Sequence, residues 1–152
     1  MWFILNHFVY RMGNTEIAIK FHLAAIDKSN NRYIEAMHNY AYLLHRLGDE
    51  QNDLMAVKYY KMALQLNGSF AHCWLHYGNL LEDAGKLNEA AEMYRRAITI
   101  RPSNAAFYLD LANVYDDLNS YQKATEAYLK CIELQPNDPV ESSTVLVLTW
   151  RV

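Results

Sequence analysis

The sequence has few residues that can cross-link a fold or break its secondary structure: 2 Cys, 3 Pro and 5 Gly among 152 residues. Cys73 and Cys131 lie far apart, with no C-x-x-C spacing, which argues against a disulfide scaffold and a paired-cysteine metal site. We expect two reduced, buried thiols in a cytoplasmic protein. Asp and Glu (17) exceed Lys and Arg (14) by three charges, too few to make nucleic acid or an anionic membrane the main partner.

Long apolar runs are also absent. The opening segment MWFILNHFVY is interrupted by Asn6 and His7 and ends at Arg11, well short of the ~20 residues of a membrane span. It has no basic n-region of the kind that begins a signal peptide. The tail at 145–152 is too short to cross a bilayer as a helix. We therefore predict no membrane partner.

What the sequence does have is apolar and repetitive. With 52% hydrophobic and 20% charged residues, the chain can bury a core and is not a disordered segment. A pattern of aromatic and small residues recurs with a period of 34 residues in the C-terminal half. One copy consists of Trp74, Tyr77, Gly78, Leu81, Gly85, Ala90, Tyr94, Ala97 and Pro102. The next consists of Tyr108, Leu111, Ala112, Tyr115, Asn119, Ala124, Tyr128, Cys131 and Pro136. Two weaker copies precede them.

These copies resemble the tetratricopeptide repeat (TPR) family, whose W-x2-L-G-x2-Y, A-x3-F and P pattern recurs every 34 residues as a helical hairpin. The resemblance covers residues 1–138, in units of about 1–32, 34–70, 71–104 and 105–138. It implies an all-α fold: a TPR-type α-α superhelix (solenoid) of about four helical hairpins plus a C-terminal partial helix at 139–152. Most of the 12 Tyr fall on repeat positions, so we expect core residues rather than a base-stacking platform.

Turn residues and departures from the pattern add detail. Gly13, Gly48, Gly85 and Asn119 tolerate the left-handed conformation that ends a helix. In the second unit, 49–53 adds three residues, which we expect in the turn, and the following helix resembles Sel1-like repeats. Both chain ends are ragged and lack a polar capping helix, so we expect a segment, or a shortened relative, of a longer protein. The alternative is that 139–152 packs as a final short helix.

Motifs for catalysis are missing. The sequence has no Gly-rich phosphate loop, no G-x-S-x-G and no H-E-x-x-H, so we predict no enzymatic activity and no cofactor. His72 and His76 stand at i, i+4 on one helix and could hold a metal with His38 or Glu82 as a further ligand. That spacing alone is weak, and we favour ordinary polar contacts and no metal. The Asp116–Asp117 pair is typical of a solvated face.

The remaining candidate for a functional site is the concave groove of the superhelix. In the TPR family the first helix of each unit lines the concave face, and the resemblance places there His38, Asn39, Tyr42, His72, His76, Asn79, Asp110 and Asn113. Asparagine amides both donate and accept, which suits them to an extended peptide backbone. Charge over these positions grades toward acidic at the C-terminal end, which suits a ligand with a basic stretch. The Lys and Arg residues with which chaperone-docking TPR domains grip a carboxylate are missing, since Phe3, His7, His72 and His76 stand there.

We therefore predict a non-catalytic scaffold that binds a protein or peptide in its groove. The alternative is the substrate-recruiting TPR region of a larger enzyme such as a glycosyltransferase. A third hypothesis is a pH switch based on the groove histidines, since imidazole titrates near pH 6.5. Exposed Phe3 and Ile4, with the apolar run at 145–150, favour self-association through uncapped ends.

Overall fold

The computed structural model describes residues 15–136, which fold as seven α-helices with no β-strand. The helices are α1 Thr15–Lys28, α2 Ile34–Leu47, α3 Glu50–Leu66, α4 Ala71–Asp83, α5 Leu87–Ile100, α6 Ala105–Asp117 and α7 Tyr121–Leu134. The predictions for the two chain ends, including the Gly13 turn, the 139–152 helix and self-association, lie outside the described residues. Between residues 15 and 136, no helix is long and apolar enough to cross a membrane.

The chain separates into two compact units between Ser69 and Phe70. In the first unit α2 packs against α3 and also against α1. In the second unit α4 packs against α5, α5 against α6 and α6 against α7. Within each unit, neighbouring helices therefore pack on one another, as the predicted hairpin repeat requires.

Repeat positions form the cores of both units. Tyr60 and Tyr94 are fully buried, and Tyr128 is 3% exposed, so the prediction that these tyrosines are core residues is confirmed. Cys73 and Cys131 are buried free thiols, also as predicted. The Cys131 thiol donates to the Ala105 carbonyl at 3.2 Å. Burial raises the pKa of the Cys73 thiol to about 12, which keeps it protonated and unreactive near neutral pH.

The helix ends follow the predicted turn chemistry. Gly48, Gly85 and Asn119 adopt left-handed conformations with φ of 73°, 71° and 54°. Asn104 caps α6, because its side-chain oxygen accepts from the Ala106 N–H at 3.1 Å. The left-handed residues end one helix, and a capping residue such as Asn104 starts another. Because both lie within a few positions of a turn, they fix where each helix of a hairpin begins and ends.

The expectation that 49–53 lengthens a turn is wrong. Asp49 is the N-cap of α3, where its carboxylate accepts from the Asn52 N–H at 2.9 Å. The following four residues belong to the helix, which has 17 residues against 14 in α5. The Asp49 carboxylate caps the first turn, and the negative charges of Glu50 and Asp53 interact favourably with the positive end of the helix dipole. Together they allow the helix to begin closer to the N-terminus of the chain. The Sel1-like character of this unit stays a prediction.

The contact between α4 and α5 depends on Gly78. A Cβ at this position would lie 2.5 Å from Cε1 and 2.8 Å from Cδ1 of Tyr94, whose ring is fully buried.

We predict that Gly78→Ala destabilises the protein by about 1–3 kcal/mol despite the better helix propensity of Ala, because the ring must move out of a packed core. Urea unfolding measures the change. Gly68→Ala is the control, since its Cβ would meet only the Leu64 carbonyl oxygen at an ordinary 3.6 Å; equal losses in the two variants would contradict the prediction.

His22 replaces, in the first unit, the tyrosine of the other repeats. It is 4% exposed, and burial lowers its pKa to about 4. The unfolded chain then binds more protons than the folded chain between pH 6.5 and 4, so stability falls as the pH drops through this window. We predict that His22→Tyr removes this loss, and that its advantage over wild type grows by up to about 1.4 kcal/mol per pH unit below pH 6.5.

Urea unfolding of both proteins at pH 7.5 and pH 5 measures the difference. His22→Gln is the control, because it removes the titrating ring without restoring the packing of tyrosine. We expect it to lower stability at pH 7.5 and yet to show the same relative gain at pH 5. A stability difference that is equal at the two pH values would refute the role of His22.

Candidate functional site

The first unit contributes three predicted site residues, all on α2. His38 is only 7% exposed, and its ring centroid lies 6.1 Å from that of Tyr60. Its Nδ1 lies 3.1 Å from Asn39 Oδ1. Asn39 and Tyr42 are half-buried. Of the three, His38 is thus largely withdrawn from solvent, and Asn39 and Tyr42 keep more accessible surface.

In the second unit, the predicted histidines lie on α4. His72 and His76 are half-buried, and the His72 ring meets Phe107 edge-on with centroids 5.8 Å apart. Burial and the positive charge of Arg101 lower the pKa of His72. Across residues 15–136, no group of three or more His, Cys, Asp or Glu side chains is placed to hold a metal ion. His72 therefore makes an aromatic contact, whereas the sequence analysis favoured ordinary polar contacts for both histidines.

The two asparagines of the second unit share one arrangement. The Tyr128 hydroxyl donates to Asn113 Oδ1 at 2.6 Å, and the Tyr94 hydroxyl donates to Asn79 Oδ1 at 2.8 Å. In both pairs the tyrosine follows the asparagine by 15 residues. Each amide therefore has its oxygen engaged, and neither Nδ2 donates to a protein acceptor in the described part of the chain.

These tyrosine hydroxyls are the part of the candidate site that the sequence analysis missed. It assigned Tyr94 and Tyr128 to the core, where their rings do lie, and gave their hydroxyls no role. Burial raises the pKa of both hydroxyls, so they remain protonated donors. The constant spacing of 15 residues from asparagine to tyrosine in both repeats is the sequence signal that could have revealed them.

The same two helices carry five carboxylates, of which Glu82, Asp110 and Asp116 are partly buried and Asp83 and Asp117 are exposed. The Tyr94 hydroxyl also lies 2.5 Å from Glu82 Oε2 on α4, so its single proton is divided between this carboxylate and Asn79 Oδ1, and the bond to Asn79 is weaker than the bond from Tyr128 to Asn113. Asp110 on α6 is half-buried, and burial together with the negative charge of Glu82 raises its pKa to about 6. Asp116 is not the solvated residue that the sequence suggested, because its Oδ1 is buried and accepts no hydrogen bond. Of these three, only Asp110 was a predicted site residue.

Asp110 and His22 have opposite effects on stability. The folded-state pKa of Asp110 lies above that of an unfolded aspartate, so the folded protein binds the extra proton and gains stability as the pH falls from 6 toward 4. The buried His22 loses stability over the same range. The dependence of wild-type stability on pH is consequently shallower than either residue alone would produce.

Comparisons with known proteins agree with this architecture. The family described as TPR repeat matches residues 78–118, and the family described as Tetratricopeptide repeat matches residues 105–138. No curated protein is a significant match to the chain.

Solved structures show the same fold. A crystal structure of MamA is 20% identical, covers 94% of this chain and 81% of its own, and has a TM-score of 0.83. The structure of PilF from Pseudomonas aeruginosa is 21% identical, with 99% and 67% covered and a TM-score of 0.84. The TPR domain of Arabidopsis OM64 is 18% identical, with 78% and 96% covered and a TM-score of 0.68.

Fold and repeat pattern define an all-α protein built from helical hairpins, and the predicted fold class is confirmed. Residues 78–138, which the two family models match between them, consist of tetratricopeptide repeats. Repeats of this family are generally non-catalytic modules for protein interaction, which places the chain among protein-interaction scaffolds.

The hydrogen bond between Tyr128 and Asn113 is expected to contribute to stability. We predict that Tyr128→Phe lowers the free energy of unfolding by about 1 kcal/mol, because a part-buried amide oxygen loses its donor. Tyr121→Phe is the matched control, since the Tyr121 hydroxyl donates to Asn119 at 2.7 Å in an exposed pair and water replaces it. Urea unfolding compares the two variants, and a loss in Tyr121→Phe as large as that in Tyr128→Phe would contradict the assignment.

Proposed function

We propose that the chain is a scaffold that binds an extended peptide segment of a partner protein. The segment would lie along the first helix of each repeat, and Asn79 on α4 and Asn113 on α6 would bind its backbone. The observation that carries the proposal is the pair of tyrosine–asparagine hydrogen bonds. Because each tyrosine engages the amide oxygen, the amide nitrogen is the group left to donate to a ligand.

The chemistry of the ligand follows from this arrangement. A peptide carbonyl oxygen is the acceptor that every residue of a partner segment offers, so amide donors bind an extended chain whatever its sequence. Asn79 and Asn113 occupy the same position of consecutive repeats and present equal donors at regular intervals. Asp110, His72 and His76 lie on the same helices, α4 and α6, and would line the groove beside them. Asn39 and Tyr42, with the more buried His38, are the corresponding candidates on α2 of the first unit.

The alternative function, a substrate-recruiting region of a larger enzyme such as a glycosyltransferase, uses the same peptide-binding step. The reading frame around these residues distinguishes the two functions, because the alternative requires an adjoining catalytic domain. The histidine switch predicts, in addition, that affinity for a peptide changes between pH 5.5 and 7.5.

Selection of a random 12-residue peptide library on the wild-type protein tests the proposal. We predict that Asn79→Ala/Asn113→Ala weakens the selected peptides by about 10- to 30-fold, since two hydrogen bonds of about 1 kcal/mol each are lost. Fluorescence anisotropy measures the dissociation constants. The control is Asn88→Ala/Gln122→Ala, which removes two exposed amides from the second helices α5 and α7.

Asn113→Ala alone separates loss of binding from loss of folding, because Asn113 is exposed and its replacement does not open the core. Its far-UV circular dichroism should match that of wild type, while its affinity falls several-fold. Unchanged affinity in both the single and the double variant would refute the assignment of the two asparagines. A wild-type protein that selects no peptide would refute peptide binding itself.

A further inference from the structure

The second helix of the first unit, α3, carries apolar side chains where the other second helices are polar. At three positions of the repeat, α3 has an apolar residue and both α5 and α7 have a polar or charged one. The three are Leu54, Met55 and Met62, against Asn88, Glu89 and Arg96 in α5 and Gln122, Lys123 and Lys130 in α7. Leu54 is 69% exposed, more than any other large apolar side chain of residues 15–136, and Met55 is 39% exposed. Because α5 and α7 form the same hairpins with polar residues there, packing within a hairpin does not require this apolar surface, which is typical of an interaction site.

Contacts with α2 hold part of this surface in place. The Tyr40 hydroxyl donates to Met55 Sδ at 3.5 Å, and the Tyr40 ring meets the Tyr59 ring edge-on with centroids 4.8 Å apart. A surface cavity of about 650 Å³ lies along the start of α3. Glu50, Leu54, Met55, Lys58 and Tyr59 are among the residues that line it and are referred to here as the α3 face. The face is therefore concave, partly apolar and held by its own hairpin.

The charges of α3 are separated along the helix. The acidic residues Glu50 and Asp53 lie in its first turn, and the basic residues Lys58 and Lys61 lie in its second half. Glu50 and Lys58 are both exposed, and neither forms an ion pair with another residue of the described chain. They are eight residues apart, about 12 Å along the helix axis, which is too far for them to pair with each other. In α5, by contrast, acidic and basic side chains pair within the helix.

Leu54 lies midway between these two charges, four residues from each. Residues four apart are neighbours on one side of a helix, so Glu50, Leu54 and Lys58 form a single row. If two copies of this row lie antiparallel about a two-fold axis at Leu54, Glu50 of each copy faces Lys58 of the other. A parallel arrangement would instead bring like charges together. The row is therefore complementary to itself in the antiparallel arrangement.

We propose that the α3 face binds a second copy of this chain, as an antiparallel pair of α3 helices centred on Leu54. The two leucines would exclude water at the centre, the flexible Met55 side chains would fill the space around them, and two Glu50–Lys58 pairs would flank them. The face lies on a second helix, whereas the proposed peptide site lies on first helices, so neither proposal depends on the other. The pairing also differs from self-association through the chain ends.

Analytical ultracentrifugation of the 152-residue chain over a range of concentrations tests the apolar contact. We expect a reversible dimer, and we expect Leu54→Asp to raise its dissociation constant at least tenfold. Because Leu54 is exposed, urea unfolding of the variant should match that of the wild-type monomer. Leu129→Asp is the matched control, since Leu129 is 53% exposed on α7 and should not affect the dimer. A wild-type chain that stays monomeric up to about 1 mM would overturn the proposal, and so would a dimer that Leu54→Asp leaves intact.

Charge reversal tests the antiparallel arrangement. Glu50→Lys and Lys58→Glu should each weaken self-association at least tenfold, because each variant brings like charges together twice in a symmetric pair. A mixture of the two variants should associate as wild type does, and so should Glu50→Lys/Lys58→Glu alone, since opposite charges face each other again. Glu89→Lys, at an exposed first-turn position of α5, is the control and should leave the dimer unchanged. Single variants that dimerise normally, or whose mixture does not associate, would overturn the proposed pairing and leave the peptide-binding function untouched.

Discussion

The second unit depends on the close contact between Gly78 and the ring of Tyr94. Because Gly78 has no side chain, α4 can approach α5 until the tyrosine ring lies against the α4 backbone. At this distance the hydroxyl at the far end of the same ring reaches Asn79 and Glu82. One side chain thus fills the core and also orients the polar face, so packing and recognition cannot be varied independently here. In the next repeat Ala112, which has a side chain, packs in the same core cluster as Tyr128, and the Tyr128 hydroxyl donates to Asn113.

Such coupling of core and surface explains the electrostatics of this face. Asp110 on α6 is half-buried, and burial together with the negative charge of Glu82 raises its pKa to about 6. No Lys or Arg of the described chain forms an ion pair with Asp110. A neutral residue at this position would avoid the cost of burying a charge, and a carboxyl whose pKa is raised in this way is typical of a functional site.

Most of the fold could be predicted from the sequence, because small and aromatic residues recur with one period. The 34-residue spacing located the hairpins, and Gly48, Gly85 and Asn119 located helix ends, since few residues tolerate the left-handed conformation. The start of α3 could not be predicted from the period, because a local cap at Asp49 decides whether added residues extend a turn or a helix. The site was predictable only as a set of positions. The burial of His38, the tyrosine bonds and the buried oxygen of Asp116 depend on how neighbouring helices pack, which repeat positions alone do not encode.

The extra turn at the start of α3 has a consequence for how such an array can vary. The rest of α3 keeps its register, because the spacing from Ala56 to the end of the helix is unchanged and Ala56, Tyr60 and Ala63 remain fully buried. The three added residues at 50–52 precede the part of the helix that α5 also has, and Glu50 and Gln51 are exposed. The second helix of a hairpin can therefore lengthen at its start by nearly one turn while its packed face is preserved, which gives one repeat additional surface without repacking its core.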